Sequence, residues 1–169
     1  MSFREIDPRD MENVVKMIGD DWTLITAAKE NGDVNTMTAS WGFMGVLWHK
    51  PVCAIVIRPQ RYTLEFVESA ERLSLSFFDE VYRPALRLCG TKSGRDMDKI
   101  KEAGLTVCHT EKSVPYFKEA KTVVVCRKLY ADDLKPECFI DPSVAEKNYP
   151  AADYHRVFIC EIEQVLEKE

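Results

Sequence analysis

Short strand-like segments dominate this sequence of 169 residues, and their order restricts the folds that the chain can adopt. About seven segments combine β-branched, aromatic and alternating apolar residues, whereas three or four short segments have the pattern of a helix. The turn signal ENGD at residues 30–33 joins the first two full strands as a hairpin. Strands and helices do not show the regular alternation that a parallel sheet would require. The order predicts a mostly antiparallel barrel with peripheral helices, because closure of a sheet removes its exposed edges.

The expected elements can be given by residue number. We predict strands at residues 22–29, 34–40, 52–58, 73–78, 106–109, 121–130 and 155–166. We predict helices at residues 8–18, 62–69, 82–89 and 97–103, and a loop with a little helix at residues 136–150. For the first helix, Asp7 is a favourable cap, Pro8 suits the first position and Gly19 would end the helix.

Length and composition indicate one globular domain over residues 1–169. Apolar residues make up 46% and charged residues 30% of the chain, which is ordinary for a soluble domain that can bury a core without disulfides or metal. The net charge of −5 argues against a nucleic-acid partner. No apolar run approaches the ~20 residues that span a bilayer, and the N-terminus lacks the apolar core of a signal peptide. We therefore expect a cytoplasmic protein with no membrane partner.

The six cysteines are spread along the chain. They form no Cys-x-x-Cys pair and no Cys/His cluster with the spacing of a zinc site, so no metal site is predicted. Several lie in strand-like apolar runs. We interpret them as buried, reduced thiols, with a redox-active thiol as the alternative.

The segment RPQRYT at residues 58–63 lies between a buried strand and the start of a predicted helix. Its two arginines, Arg58 and Arg61, flank that start, and Thr63 adds a hydroxyl. Free N–H groups at a helix start attract anions, and arginine matches phosphate oxygens with two parallel hydrogen bonds. The segment is either a phosphate site or a solvated turn whose arginines pair with acids such as Glu65.

Two further polar segments flank strands. NTMTASWG at residues 35–42 could offer hydrogen bonds and the face of Trp41 to a flat ring, or it could be a half-exposed strand end with the tryptophan in the core. GTKSGRD at residues 90–96 precedes the helix that holds Lys99 and suits an anion, although it could also be a plain connection. Neither a Walker nor a Rossmann glycine pattern is present. His155 stands at the start of the last strand, as a structural histidine or as a ligand contact.

The three polar segments together fit a ligand with a phosphate at one end and a flat, hydrogen-bonding ring at the other. With KP at residues 50–51, LSFFD at 75–79 and YHR at 154–156, they resemble the flavin reductase-like, FMN-binding split-barrel family, most closely its flavoredoxin-type branch. The likeness extends over about residues 10–166. It implies a Greek-key split β-barrel, usually a homodimer, with FMN bound near the subunit interface.

The resemblance also implies the residues that would hold FMN. They are Asn35, Thr38, Ala39, Ser40, Trp41, Arg58, Arg61, Tyr62, Thr63, Ser93 and Lys99. Those from Asn35 to Trp41 would face the ring and its ribityl chain, and the arginine segment would hold the phosphate, with added positive charge from Lys99. His155 would line the substrate side of the ring.

Three functions follow from this resemblance. The first is an oxidoreductase in which NAD(P)H reduces bound FMN, which then reduces free flavin or another acceptor. The second is a non-enzymatic FMN electron-transfer protein that a partner protein reduces. The third is a small-molecule binder with no redox role. In the first two the flavin carries the chemistry, so the chain needs no catalytic acid–base set.

Overall fold

The computed structural model describes residues 3–11 and 13–169. The strands in these residues are β1 (Phe3–Ile6), β2 (Thr23–Ala28), β3 (Val34–Ala39), β4 (Gly42–Leu47), β5 (Lys50–Ile57), β6 (Arg72–Phe77), β7 (Val107–His109), β8 (Pro115–Phe117), β9 (Thr122–Asp133) and β10 (Arg156–Lys168). The α-helices are α1 (Val14–Lys16), α2 (Thr63–Ser69), α3 (Arg83–Thr91), α4 (Lys99–Glu102) and α5 (Pro142–Asn148). A π-helical turn spans Met17–Asp21, and short 3₁₀ turns lie at Pro8–Asp10, Glu80–Tyr82 and Pro136–Cys138.

Seven strands form one antiparallel sheet in the order β3-β2-β6-β9-β10-β5-β4. Strand β1 pairs with β10, and β7 with β8 forms a separate hairpin. β3 and β4 lie at opposite ends of this order, yet only Ser40 and Trp41 connect them. The sheet must therefore curl until its two ends come close together. Because β3 and β4 do not pair, the barrel remains split between them.

Two apolar clusters hold the sheet in place, one on each side of it. Successive residues of a strand point to opposite faces, so Ile25 joins the cluster inside the barrel, which also contains Phe158. Leu24 joins the outer cluster beneath α3, where it lies with Leu86 and Phe117. Helix α3 is thereby fixed against the outer face of β2 and β3.

The strands predicted at residues 34–40, 73–78 and 121–130 are found close to their expected bounds. The helix predicted at residues 8–18 is wrong as one unit, because Asn13 has a left-handed backbone with a φ of 45° and separates two short turns; residue 12 lies outside the described residues. Strands β1, β4 and β8 were not predicted. β4, with the sequence GFMGVL, contains two glycines and lies at an exposed edge, so it lacks the alternation that identifies a half-buried strand.

Four of the six cysteines are buried, as expected. Cys108 is partly exposed and Cys138 is exposed, so the expectation of burial is wrong for Cys138. In residues 3–11 and 13–169, no helix combines the length and the apolar character needed to cross a membrane. Over the same residues, no group of three or more His, Cys, Asp or Glu side chains could hold a metal ion.

Candidate functional site

A cleft of about 190 Å³ opens at the split of the barrel. It is lined by Met37, Thr38, Ala39, Ser40, Trp41, Val56, Arg58, Arg61 and His155. The first five belong to the end of β3 and its link to β4, and the others to the end of β5, the turn after it and the residue before β10. Segments far apart in sequence meet here because β5 pairs with both β4 and β10, with Gly42 opposite Ile55 and Arg156 opposite Ile57.

Two cations lie close together here: the half-buried Arg61, which lines the cleft, and the buried Lys99, which donates to one of the same backbone oxygens. The guanidinium of Arg61 donates to the backbone oxygens of Gly90 at 2.9 Å and Cys89 at 3.3 Å. Lys99, which is 3% exposed, donates through Nζ to Cys89 O at 3.4 Å and Lys92 O at 3.2 Å. Within the part of the chain that the structure describes, neither cation has a carboxylate partner, so the negative end of the α3 carbonyls is their sole compensation.

Burial perturbs both cations. It lowers the pKa of Arg61, and it lowers the pKa of Lys99 from 10.5 to about 8, with a smaller contribution from the charge of Arg61. A buried charge is costly unless it is paired. Two cations that have backbone carbonyls but no carboxylate as partners in the described residues therefore form a site that an anion such as a phosphate would stabilise.

Arg58, in contrast, is already neutralised. Its guanidinium forms an ion pair with Asp153 and donates to the backbone oxygen of Asn148 at 2.9 Å. Gln60 donates to the same carboxylate at 2.8 Å, and these two hydrogen bonds, Gln60 first, lower the pKa of Asp153. Arg58 therefore fastens the segment after α5 to the turn after β5, and it has less charge to offer a ligand than Arg61.

The loop at residues 90–96 packs tightly against β3. A Cβ atom on Gly94 would lie 2.4 Å from Asn35 Oδ1, so the loop needs a glycine to approach this closely. Asn35 in turn donates through Nδ2 to Thr63 Oγ1 at 3.0 Å, and both residues are buried. A second cleft of about 290 Å³ lies on this side, and Asn35, Gly94 and Lys99 line part of it.

Two aromatic residues, Trp41 and His155, also line the main cleft. Trp41 is 47% exposed, and its ring centroid lies 5.3 Å from that of His155. Burial, with a smaller contribution from the charge of Arg58, lowers the pKa of His155 to about 4, so the imidazole is neutral at pH 7. Its Nδ1 atom lies 2.8 Å from the hydroxyl oxygen of Tyr149. Trp41 and His155 thus offer a flat apolar face and an uncharged imidazole.

Of the twelve residues predicted for the site, seven line the main cleft and five lie elsewhere. Thr38, Ala39, Ser40, Trp41, Arg58, Arg61 and His155 line the main cleft. Asn35 and Lys99 line the second cleft, Thr63 is bound to Asn35 inside the protein, and Ser93 Oγ accepts from the backbone of Arg95 at 3.1 Å. Tyr62 packs edge-on against Phe66, with ring centroids 5.0 Å apart.

Some residues of the site were not predicted. Met37 and Val56 line the cleft, and Tyr149 and Asp153 position its walls. Apolar strand residues give no signal of a cleft in sequence. The sequence did contain a signal for Tyr149 and Asp153. Residues 149–155 combine closely spaced aromatic and acidic side chains, which a plain loop does not require.

The hydroxyl of Thr38 has a defined role in this arrangement. It donates to the backbone oxygen of Leu86 in α3, so towards a ligand it can act as an acceptor only. Arg61 and the imidazole of His155 provide donors in the main cleft, and Lys99 provides a donor in the second cleft. The main cleft therefore combines cationic donors with aromatic side chains.

A split β-barrel with this kind of cleft is a recognised protein class, and comparison with known proteins assigns the chain to it. Residues 18–169 match the sequence family described as the flavin reductase like domain. The chain belongs to this family. No curated protein matches the chain.

Solved structures with the same fold include three described as flavin-related proteins. An FMN-binding domain of flavin reductases-like enzyme from Shewanella baltica has a TM-score of 0.71 and 15% identity, over 98% of this chain and 77% of that one. The flavoredoxin of Desulfovibrio vulgaris has a TM-score of 0.68 and 20% identity, over 88% and 69%. An FMN-binding protein from Thermus thermophilus with bound p-hydroxybenzaldehyde has a TM-score of 0.70 and 20% identity, over 100% and 82%. The expected fold, a split barrel with peripheral helices, is confirmed.

Proposed function

We propose that this protein, as a single domain over residues 1–169, binds FMN and passes electrons from NAD(P)H through it to free flavin or another acceptor. The family supports a flavin-dependent oxidoreductase, and the FMN-binding neighbours support FMN as the cofactor. The observation that carries the proposal is that Arg61, which lines the main cleft, and the buried Lys99 both donate to the backbone oxygen of Cys89, and that neither has a carboxylate partner in the described residues.

The residues of the cleft fit FMN. Arg61 and Lys99 would hold the phosphate, because cations without a partner gain most from a doubly charged group. Trp41 would provide a flat face for the ring, and Ser40 and Thr38 would provide polar contacts. When bound, the flavin supplies the hydride and electron transfer. The protein binds and orients it, and the neutral imidazole of His155 can donate or accept one hydrogen bond without adding charge.

The electron donor can be identified by a stopped-flow experiment. The FMN-loaded protein is mixed with NADH or NADPH without oxygen, and the visible absorbance of the bound flavin is followed. Rapid bleaching is expected with at least one of the two nucleotides. No bleaching, in a protein that retains FMN, would replace the proposal with an electron-transfer protein reduced by a partner protein. A protein that takes up no FMN would leave only a small-molecule binder on this fold.

We further propose that two copies of the chain associate through β4. This edge strand pairs with β5 alone among the described strands, and several of its apolar side chains are exposed. The exposed residues at and beside β4 are Trp41, Phe43, Val46, Leu47 and Trp48. Exposed apolar surface of this kind is typical of an interaction site, and because Trp41 also lines the cleft, it supports an interface beside the proposed FMN site.

The proposed dimer predicts a particle of twice the 19.4 kDa chain mass in sedimentation or light scattering. Val46→Glu should yield monomers, because it buries a carboxylate in the interface. Val81→Glu is the matched control, since Val81 is 77% exposed and Val46 is 74% exposed, but Val81 lies outside β4. A monomeric wild-type protein would contradict the proposal.

The free cysteines also support a reducing compartment, and we propose the cytoplasm.

A further inference from the structure

Tyr149 contacts the site through one hydrogen bond. Its hydroxyl oxygen lies 2.8 Å from Nδ1 of His155, and both residues are 7% exposed. The ring of Tyr149 stacks on that of Tyr154, with centroids 4.9 Å apart, and the guanidinium carbon of Arg58 lies 5.2 Å from its centroid. Tyr149 is therefore held rigidly, and the imidazole it contacts lines the cleft.

The direction of this hydrogen bond follows from what each partner has to satisfy. Burial raises the pKa of Tyr149, so the phenol keeps its proton at pH 7. The hydroxyl has no second hydrogen-bond partner in residues 3–11 and 13–169. If Nδ1–H donated to the tyrosine oxygen, the buried phenol hydrogen would be left unpaired, which costs about 1–3 kcal/mol. The phenol therefore donates, and Nδ1 accepts.

The proton of the neutral imidazole must then lie on the other nitrogen. His155 is uncharged because burial and the nearby charge of Arg58 disfavour the imidazolium, while Asp153, which faces the same region, is paired with Arg58. Nε2 has no hydrogen-bond partner in the described part of the chain. It thus remains available to a ligand in the cleft, as a donor.

We propose that Tyr149 is a positioning residue that fixes His155 as the tautomer with its proton on Nε2, so that His155 presents an N–H donor to the molecule bound in the cleft. The group opposite His155 is then a hydrogen-bond acceptor, such as the oxygen of a carboxamide or of another carbonyl. This inference deepens the proposed function and rests on it where the bound molecule is concerned. The tautomer itself is a property of the protein without FMN.

The first test is a nitrogen NMR spectrum of the FMN-free protein with labelled histidines, in which His155→Gln assigns the signal. We expect His155 to be neutral at pH 6, with a protonated Nε2 and a hydrogen-bonded Nδ1. In Tyr149→Phe the Nδ1 signal should move towards that of a free nitrogen. In Tyr154→Phe, which removes a hydroxyl from the neighbouring ring, it should not move. A proton on Nδ1, or an imidazolium at pH 6, would overturn the inference whatever the protein binds.

The second test uses FMN-loaded protein and NADH in single-turnover reduction. Tyr149→Phe should lower the second-order rate constant about tenfold, the equivalent of one ordinary hydrogen bond, while Tyr154→Phe stays within about twofold. In a His155→Ala background, Tyr149→Phe should have no further effect, because the two residues act as one unit. Equal losses in both backgrounds would refute the positioning role. Absence of reduction in the wild type would refute the proposed function, and the spectrum would still decide the tautomer.

Discussion

Lys99→Met should have opposite effects on the FMN-free protein and on FMN binding. In the folded protein the pKa of Lys99 falls from 10.5 to about 8, chiefly because of burial. At 1.4 kcal/mol for each pH unit, the charged lysine destabilises the folded state by about 3 kcal/mol at pH 7. Methionine removes this charge at similar length. It also leaves Lys92 O without a donor, whereas Cys89 O keeps its bond from Arg61, so about 1 kcal/mol is lost and a net gain of about 2 kcal/mol remains.

The sign of the pH dependence follows from the same shift. Between pH 8 and pH 10.5 the unfolded chain binds a proton at this lysine and the folded chain does not, so the stability of the wild type should rise over this range. The advantage of Lys99→Met should shrink accordingly. Urea denaturation of the FMN-free protein at pH 7 and pH 9.5 measures both effects. Lys101→Met, an exposed position on the same helix, should change neither.

FMN affinity should move in the opposite direction. Loss of a hydrogen bond between Lys99 and the phosphate would weaken binding by about 1.5–3 kcal/mol, which is at least a tenfold increase in Kd. The proposal that Lys99 belongs to an anion-binding site would be refuted by one combined result. In that case Lys99→Met would be less stable than the wild type at pH 7 and would bind FMN with unchanged affinity.

Three further predictions concern the walls of the site. In the folded protein the pKa of His155 is about 4, so the free energy of unfolding should fall by about 3 kcal/mol as the pH drops from 6.5 to 4. In urea titrations, His155→Gln should remove this part of the pH dependence. An unchanged dependence of the unfolding free energy on pH would contradict the prediction. Gly94→Ala should cost about 1–3 kcal/mol in thermal or urea unfolding, because the new methyl group meets Asn35, whereas Gly19→Ala, which meets nothing within 4 Å, should be tolerated. Cys89→Ser should retain FMN and turnover, since burial raises the pKa of the thiol to about 11 and keeps it protonated; loss of activity would reveal a role for the thiol.

Local sequence patterns were sufficient for most of the barrel. The run of three valines in β9 and the alternation in β10 are enough to predict buried strands. Burial on both faces of a strand gives a continuous apolar run, and burial on one face gives alternating apolar residues. β4 has neither pattern. Most of its apolar side chains are exposed, so its strand identity depends on pairing with β5.

The site shows the same limit at the level of single residues. The sequence identifies Arg58 and Arg61 as equivalent cations three positions apart. The fold makes them different, because Asp153 reaches Arg58 from 95 residues away, whereas Arg61 donates to two backbone carbonyls near the end of α3. Tyr149 likewise gains its role only through its contact with His155. Composition and spacing can nominate a cation or an aromatic ring, but the partner that sets its charge or its tautomer comes from tertiary structure.

The affinity of the purified protein for FMN relative to riboflavin, measured by calorimetric titration, tests the central claim most directly, since riboflavin has the same ring and ribityl chain without the phosphate. With two charged contacts at about 1.5–3 kcal/mol each, FMN should bind at least a hundredfold more tightly, and Arg61→Ala should remove much of that difference. Equal affinities for the two flavins, or the absence of binding by both, would contradict a cleft built around a phosphate.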